Sequence, residues 1–326
     1  MKALITGGNG FIGSHLVERL LNHDYQVTCL VRKTSDLRWI QDLPIEFVFG
    51  DITDLDSLLP IVPDIGYVFH LSGALRANKE SEFYRVNHEG TRNLLEACRQ
   101  NNPALKRFIY VSTQAAAGPA KNGRPLTEND PPQPISIYGK SKLLAEQVVM
   151  EYQKFFPATI VSPPTVYGPR DDDVLEIFKY IKLGIKPLIG KQEKFVSIIS
   201  VHDLVRGIQA AAECSEAKNE SFFLSNRQPC GWCEFENTIA RVMNKRAVTI
   251  RLPVFMLDVA AYVSESAAKI FKKTAILNRD KANEMKQNFW LIDPSKAEQK
   301  LGFSAEIPLE TGLIETYQWY RKQGWL

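Results

Sequence analysis

Apolar and polar positions in the first half of this chain alternate between two periods. Short apolar runs at residues 2–6, 26–31, 47–49, 67–71, 107–112 and 158–162 have the length of strands. Between them, residues 13–23 and 84–101 carry apolar positions at helical spacing, and Pro103 stops the second of these helices. Strands alternating with helices predict an α/β fold with a doubly wound parallel sheet, which binds its ligands at the carboxyl ends of the strands. Beyond residue 165 the regularity fades. Residues 174–183 and 233–243 predict helices, 197–201 an extended segment and 307–322 a terminal amphipathic helix. Residues 1–165 are therefore expected to form a nucleotide-binding domain, with 194–226 returning to it. A smaller, mostly helical substrate-binding domain takes 166–193 and 227–326.

Composition narrows the function classes. A chain of 326 residues with 44% hydrophobic and 24% charged content is that of an ordinary soluble globular protein. A net charge of +3 without a basic stripe argues against nucleic acid as a partner. The first six residues run straight into a strand and then glycines, unlike a secretory signal, and no apolar run approaches the ~20 residues of a membrane span. A cytoplasmic location is the expectation. Five cysteines, Cys29, Cys98, Cys214, Cys230 and Cys233, do not suggest a disulfide framework. Cys230 and Cys233 have redox spacing, where a helix dipole would acidify a thiol, or they simply fill a helix start. No second Cys or His pair accompanies them, so no metal site is expected.

Two constellations carry chemistry. Thr6-Gly7-Gly8-Asn9-Gly10-Phe11-Ile12-Gly13 follows the first strand and opens the first helix, the context of a dinucleotide-binding loop. It fits Gly8-x-Gly10-x-x-Gly13 as well as Gly7-x-x-Gly10-x-x-Gly13. In either spacing glycines let the backbone approach a pyrophosphate at a helix N-terminus. Further along, Tyr138 and Lys142 stand four residues apart at a helix start and share a face. A free tyrosine has a pKa of about 10, and a cation within about 4–6 Å lowers it toward the range of acid–base work. At the end of the second strand, Val31-Arg32-Lys33-Thr34-Ser35 offers bases and no acid before Asp36. An acid there would bind the ribose hydroxyls of NAD, whereas Arg32 and Lys33 suit a 2′-phosphate. NADP(H) is the expected cofactor, with NAD(H) as the alternative.

An N-terminal Thr-Gly-x-x-Gly-x-x-Gly with a later Tyr-x-x-x-Lys resembles the short-chain dehydrogenase/reductase superfamily, in its extended, epimerase/dehydratase-like branch with a Rossmann sheet. Gly50-Asp51-Ile52, His70-Leu71-Ser72-Gly73-Ala74, Asn87, Val111-Ser112-Thr113 and Pro163-Pro164-Thr165-Val166-Tyr167-Gly168-Pro169 are similar to that branch's landmarks, in order, over almost the whole chain. The resemblance implies Thr113, Tyr138 and Lys142 as the catalytic set. Gly118, standing at a glycine of the branch, selects Thr113 over Ser112. It further implies that Gly7, Gly10, Phe11, Ile12, Gly13, Asp51, Ile52, Leu71, Ser72, Gly73, Pro163 and Val166 border the cofactor, and that Lys142 holds its ribose beside Tyr138. A homodimer pairing residues 84–101 and 138–155 is implied as well.

Departures from the pattern shape the expected reaction. Ser162 replaces an arginine common before the Pro-Pro, and Gln114-Ala115 replaces the Asp-Glu of dehydratases. Arg170, Arg206 and Arg251 are available for a substrate diphosphate, though no spacing selects one. His202-Asp203 is expected to cap or lie at the surface, and Arg170-Asp171-Asp172-Asp173 to be a solvated helix N-terminus. Residues 252–273, apolar and then basic at Lys269, Lys272 and Lys273, fit a packed helix, an apolar pocket wall or a membrane-surface segment. The leading expectation is a reductase or dehydrogenase acting on a carbonyl or alcohol of a small apolar molecule, as in dihydroflavonol-reductase and 3β-hydroxysteroid-dehydrogenase relatives. A nucleotide-sugar epimerase is the alternative, and a non-catalytic cofactor-binding or redox-sensing protein a third.

Overall fold

Seven parallel strands form one sheet in the computed structural model, which describes residues 1–271 and 278–326. In chain order they are β1 (Lys2–Thr6), β2 (Gln26–Val31), β3 (Glu46–Phe49), β4 (Tyr67–His70), β5 (Arg107–Val111), β6 (Ala158–Ser162) and β7 (Ser221–Phe223). Their spatial order is β7-β6-β5-β4-β1-β2-β3. The chain thus starts mid-sheet, winds outward to β3, then crosses over and winds outward the other way. Thr6 lies opposite His70 where the direction reverses, and a crevice opens there beyond the strand ends.

β5 and β6 are buried at every position, as two-sided covering requires. Helices Phe11–Leu21 and Val201–Glu213 cover one face, and helices Gly90–Asn101 and Ile137–Tyr152 the other. The expected strands appear within one residue at each end. The expected helix at 84–101 is two elements: Tyr84–Glu89 winds as a π-helix before Gly90–Asn101 continues as α. Such wide turns concentrate at functional sites, and this one carries Asn87. Helix Val201–Glu213 and the three-residue strand β7 were not legible individually. β7 is too short to show a period, yet it closes the edge by pairing with β6.

The rest of the chain is helical with three small sheets. Ile185–Ile189 pairs with Val248–Leu252, Thr165–Tyr167 with Ile198–Ser200, and Phe195–Val196 with Cys230–Gly231 and Phe289–Trp290. Helix Phe255–Phe271 occupies the apolar part of the 252–273 stretch, while Lys272 and Lys273 lie outside the described residues.

Two expectations about charged residues need correction. Asp171 is buried, not solvated: its carboxylate accepts from the backbone N–H groups of Asp173 (3.1 Å) and Val174 (2.9 Å), and burial pushes its pKa up to about 7. Asp203 is also buried and clamps the incoming C-terminal segment by accepting from the N–H groups of Glu306 (3.0 Å) and Ile307 (2.9 Å).

Candidate active site

The crevice between β1 and β4 is lined first by backbone. Gly7 sits at φ +73°, and a Cβ there would lie 2.8 Å from the Ser72 nitrogen. A Cβ on Gly13 would lie 2.0 Å from the Gly7 carbonyl oxygen. The glycines therefore bring the first loop against Leu71 and Ser72 and let helix Phe11–Leu21 start beneath it. That helix has no side-chain cap and no acid in its first turn. Its leading N–H groups, at Phe11, Ile12 and Gly13, point out of the helix end without intrahelical partners. An open glycine cradle with orphan donors fits a dinucleotide pyrophosphate.

A buried hydrogen-bond chain fixes the neighbouring strand end. His70 Nδ1 meets the Thr6 hydroxyl (2.6 Å), and His70 Nε2 meets the Thr91 hydroxyl (2.9 Å). Thr91 donates its own proton to the Asn87 carbonyl (2.6 Å), so Nε2 carries the imidazole hydrogen and Nδ1 accepts. Burial, with the Lys142 charge adding to it, holds the His70 pKa down to about 3, so the ring stays neutral. The Asn87 side chain accepts from the Ala74 N–H (2.7 Å) and donates to the Ala74 carbonyl (3.1 Å) and the Ser141 hydroxyl (2.9 Å). It latches the loop after β4 to the Tyr138 helix, and a Cβ on Gly73 would lie 4.0 Å from Lys142 Nζ.

Helix Ile137–Tyr152 begins at Ser136, whose hydroxyl accepts from the Gly139 N–H (3.0 Å). A Cβ on Gly139 would lie 2.3 Å from the Ala115 carbonyl oxygen. That close approach brings the Thr113 segment alongside, near enough for the Thr113 hydroxyl to favour the ionised Tyr138 phenol. Burial, helped by the Glu284 and Asp173 carboxylates, pushes the Tyr138 pKa above its ordinary value, against the opposing pull of Thr113. The lowering expected from Lys142 is therefore not found: the shift runs upward and the phenol stays protonated. Lys142, 3% exposed, donates to the Val111 carbonyl (2.9 Å) and lies 4.2 Å from the Tyr110 ring centre. Burial pushes its pKa down to about 7, with the Glu146 carboxylate working against the fall.

The other candidates follow the carboxyl ends of neighbouring strands β2, β3 and β6. The Gln114 N–H donates to the Pro163 carbonyl (2.8 Å), joining the Thr113 segment to the loop that carries Val166. Ile52 is buried against Gly90 and accepts from Asn93 (3.0 Å). Burial works against the Asp51 carboxylate, but two hydrogen bonds from Thr53 and the charges of Arg32 and Arg85 outweigh it and hold its pKa below the carboxylate range. Arg32 and Lys33 are exposed at the rim beyond β2.

Sequence reasoning missed two residues here. Asp280 Oδ2 accepts from the N–H groups of Ile137 (2.6 Å) and Tyr138 (3.3 Å), a carboxylate capping the Tyr138 helix from 142 residues away. Glu146 stands one turn beyond Lys142 and accepts from the Ser162 hydroxyl (3.3 Å), and burial raises its pKa to about 7. Its spacing, i+4 from Lys142, was the available signal; Asp280 had none. The cysteines gain no redox character: burial pushes Cys230 up to about 12 and Cys233 up to about 11.

The model of the NAD dependent epimerase/dehydratase family matches residues 3–223, which hold both the glycine loop and Tyr138-x-x-x-Lys142. The chain belongs to that family. Membership makes it an NAD(P)-dependent enzyme of dehydrogenase, reductase or epimerase type. Among similar proteins, the ceramide reductase of Caulobacter vibrioides is 28% identical over 99% of this chain and 95% of its own length. The bovine (Bos taurus) sterol-4-alpha-carboxylate 3-dehydrogenase, decarboxylating, is 29% identical over 78% of this chain and 73% of its own. The Thermotoga maritima UDP-glucose 4-epimerase structure superposes with a TM-score of 0.81 over 99% of each chain at 24% identity, a likeness of fold.

Proposed function

We propose that this family member is an NADP(H)-dependent reductase of a ketone on a small apolar molecule, with Tyr138 as the proton donor. The observation that carries this reading is the placement of Tyr138 at the start of a capped helix, one turn before buried Lys142 and beside the Thr113 segment. Burial and two nearby carboxylates hold Tyr138 protonated, against the pull of the Thr113 hydroxyl. A protonated phenol can donate to a carbonyl oxygen as reduction requires, and the name of one relative, a ceramide reductase, favours the ketone direction.

The nicotinamide, when bound, supplies the hydride that goes to the carbonyl carbon. Tyr138 gives its proton to the carbonyl oxygen, so the product is an alcohol, and Thr113 orients that oxygen by hydrogen bonding. Lys142 lies one turn along the same helix face and faces the ribose. Gly7, Gly10 and the first-turn N–H groups of Phe11, Ile12 and Gly13 hold the pyrophosphate. Asp51 and Ile52 border the adenosine, Leu71, Ser72 and Gly73 line the crevice, and Pro163 and Val166 back the nicotinamide. Arg32, with Lys33 beside it, takes the 2′-phosphate. A homodimer through helices Gly90–Asn101 and Ile137–Tyr152 belongs to the same reading, supported by the exposed Met150 and Phe155 along that surface.

The names of two relatives, a ceramide reductase and a sterol dehydrogenase, support an apolar substrate. Two of the three candidate arginines speak against a nucleotide sugar, while Arg251 stays exposed. Arg170 is committed to Glu18 (2.5 Å) and lies over Trp39, and Arg206 to Asp203 (2.7 Å) and the Ser304 carbonyl (2.6 Å).

Purified protein is expected to oxidise NADPH with a long-chain aliphatic or steroidal ketone and to leave UDP-glucose unchanged. Arg32→Ala is expected to weaken NADPH binding about ten- to hundredfold, the loss of one charge-assisted contact, and to leave NADH binding within about twofold. Epimerisation of UDP-glucose without added nucleotide would overturn the reductase assignment, and unchanged NADPH affinity in Arg32→Ala the cofactor assignment. A pH profile probes Lys142. Removing the Glu146 carboxylate removes the charge that raises the Lys142 pKa, so Lys142 gives up its proton at lower pH. Glu146→Gln is expected to lose about three- to tenfold more kcat/KM at pH 8 than at pH 6. A loss equal at both pH values contradicts the coupling.

A further inference from the structure

Helix Phe255–Phe271 leaves an apolar face uncovered. Phe255 is 66% exposed, Val259 56%, Tyr262 59% and Val263 59%, at positions i, i+4, i+7 and i+8 of one helical face. Val254 and Met256 extend the stripe. Single exposed apolar residues are ordinary, whereas a contiguous stripe marks an interaction surface. The opposite face is spoken for: Leu257 and Ala261 pack with Ala282 of helix Arg279–Lys286.

Charge is concentrated in the same segment of the sequence. Residues 248–286 hold seven Lys and Arg against four Asp and Glu, so the whole +3 of the chain resides in this one segment. All four acids are engaged: Asp258 with Lys286, Glu265 with Arg279, Glu284 with Lys281, and Asp280 with the Tyr138 helix. Lys269, Lys272 and Lys273 follow the apolar stripe in sequence. An apolar face followed in the sequence by basic residues matches the boundary of a bilayer carrying anionic lipid, where an apolar face enters the acyl region and bases meet the headgroups.

The pair of helices also touches the site. Asp280 caps the Tyr138 helix, and the Glu284 carboxylate acts on the Tyr138 phenol. We propose that helix Phe255–Phe271 docks the enzyme on an anionic bilayer surface and that its apolar substrate reaches Tyr138 from that membrane along helices Phe255–Phe271 and Arg279–Lys286. The delivery half rests on the apolar-ketone reading above; the docking half stands without it.

The test is co-sedimentation of the full chain with phosphatidylcholine vesicles with and without about a third phosphatidylserine, a share chosen to give a clear surface potential. The parent protein is expected to pellet with the anionic vesicles and to be released at high salt. Phe255→Glu/Val263→Glu is expected to lower the bound fraction at least tenfold, while melting temperature and turnover of a water-soluble ketone stay at parent values. Parent protein that stays in the supernatant, or equal pelleting of the double variant, overturns docking. So does a sedimentation-velocity shift from dimer to monomer in the double variant with no vesicle binding by the parent, which would assign the face to a second copy of the chain. Vesicle binding needs no substrate, so docking with no turnover of any ketone would instead count against the reductase reading.

Discussion

Tyr138→Phe is expected to lower kcat for ketone reduction by about 10²- to 10⁴-fold, the usual contribution of a positioned general acid. That corresponds to about 3–5 kcal/mol of barrier. The substitution removes one oxygen and its proton and keeps the ring, whose centre lies 6.4 Å from that of Phe83. Packing at the helix start therefore changes little. The Thr113 hydroxyl loses a neighbouring oxygen there, at a cost of about 1 kcal/mol or less for a half-buried group. Cofactor contacts are assigned to the glycine loop, Lys142 and Arg32, so NADPH affinity stays within about threefold, with the lost phenol the only change near the ribose. Stopped-flow or steady-state NADPH oxidation, with calorimetric titration of the cofactor, separates the two quantities. A variant that keeps a tenth or more of parent kcat would show that another group, or water, protonates the alkoxide.

How much of this was visible in the residues follows the range of each interaction. The glycine loop, the strands and the Tyr138–Lys142 pair are local patterns, so period and spacing reveal them before any fold is built. The meeting of Thr113 with Tyr138 was legible only through the resemblance, since it depends on Gly139 touching the Ala115 carbonyl across 24 residues. Asp280 was invisible. It belongs to a short polar helix with no periodic signal, and its role exists only once the 278–286 segment folds back on residue 137. The mistaken reading of Asp171 has the same origin. Three consecutive aspartates look solvated, yet Tyr320 from the terminal helix covers Asp171 and donates to its carbonyl (2.6 Å). Arg170 and Arg206 looked available for a ligand diphosphate because their acidic partners are remote in sequence or one turn away on a face that could not be oriented.

Gly13→Ala is expected to disable cofactor binding and to unsettle the first βα turn together. Gly13 has an ordinary negative φ, since it is absent from the glycines at positive φ, so alanine is conformationally acceptable and space decides the outcome. The added methyl would stand 2.0 Å from the Gly7 oxygen, 2.8 Å from the Gly7 carbonyl carbon and 2.9 Å from the Gly8 Cα. All three are backbone atoms, so no side chain can rotate away to relieve the clash. Relief requires moving the loop off the helix end, which breaks the Gly10 N–H to Gly7 carbonyl bond (3.1 Å) and the contact of Gly7 with Ser72. Overpacking against a rigid wall costs about 3 kcal/mol, or about 4–5 °C in melting temperature for a chain of this size. The displaced N–H groups no longer converge on the pyrophosphate, so NADPH affinity falls at least about a hundredfold, as for loss of two charge-assisted hydrogen bonds. Gly10→Ala is the informative contrast. Its methyl meets nothing nearer than the Gly7 oxygen at 3.4 Å, so the fold accepts it, while the methyl intrudes on the space in front of the helix N-terminus. Thermal melting and cofactor titration should therefore separate the two variants: both bind NADPH poorly, and only Gly13→Ala melts early. Parent-like melting and parent-like affinity in Gly13→Ala would mean that the loop does not approach the helix as closely as its glycines allow.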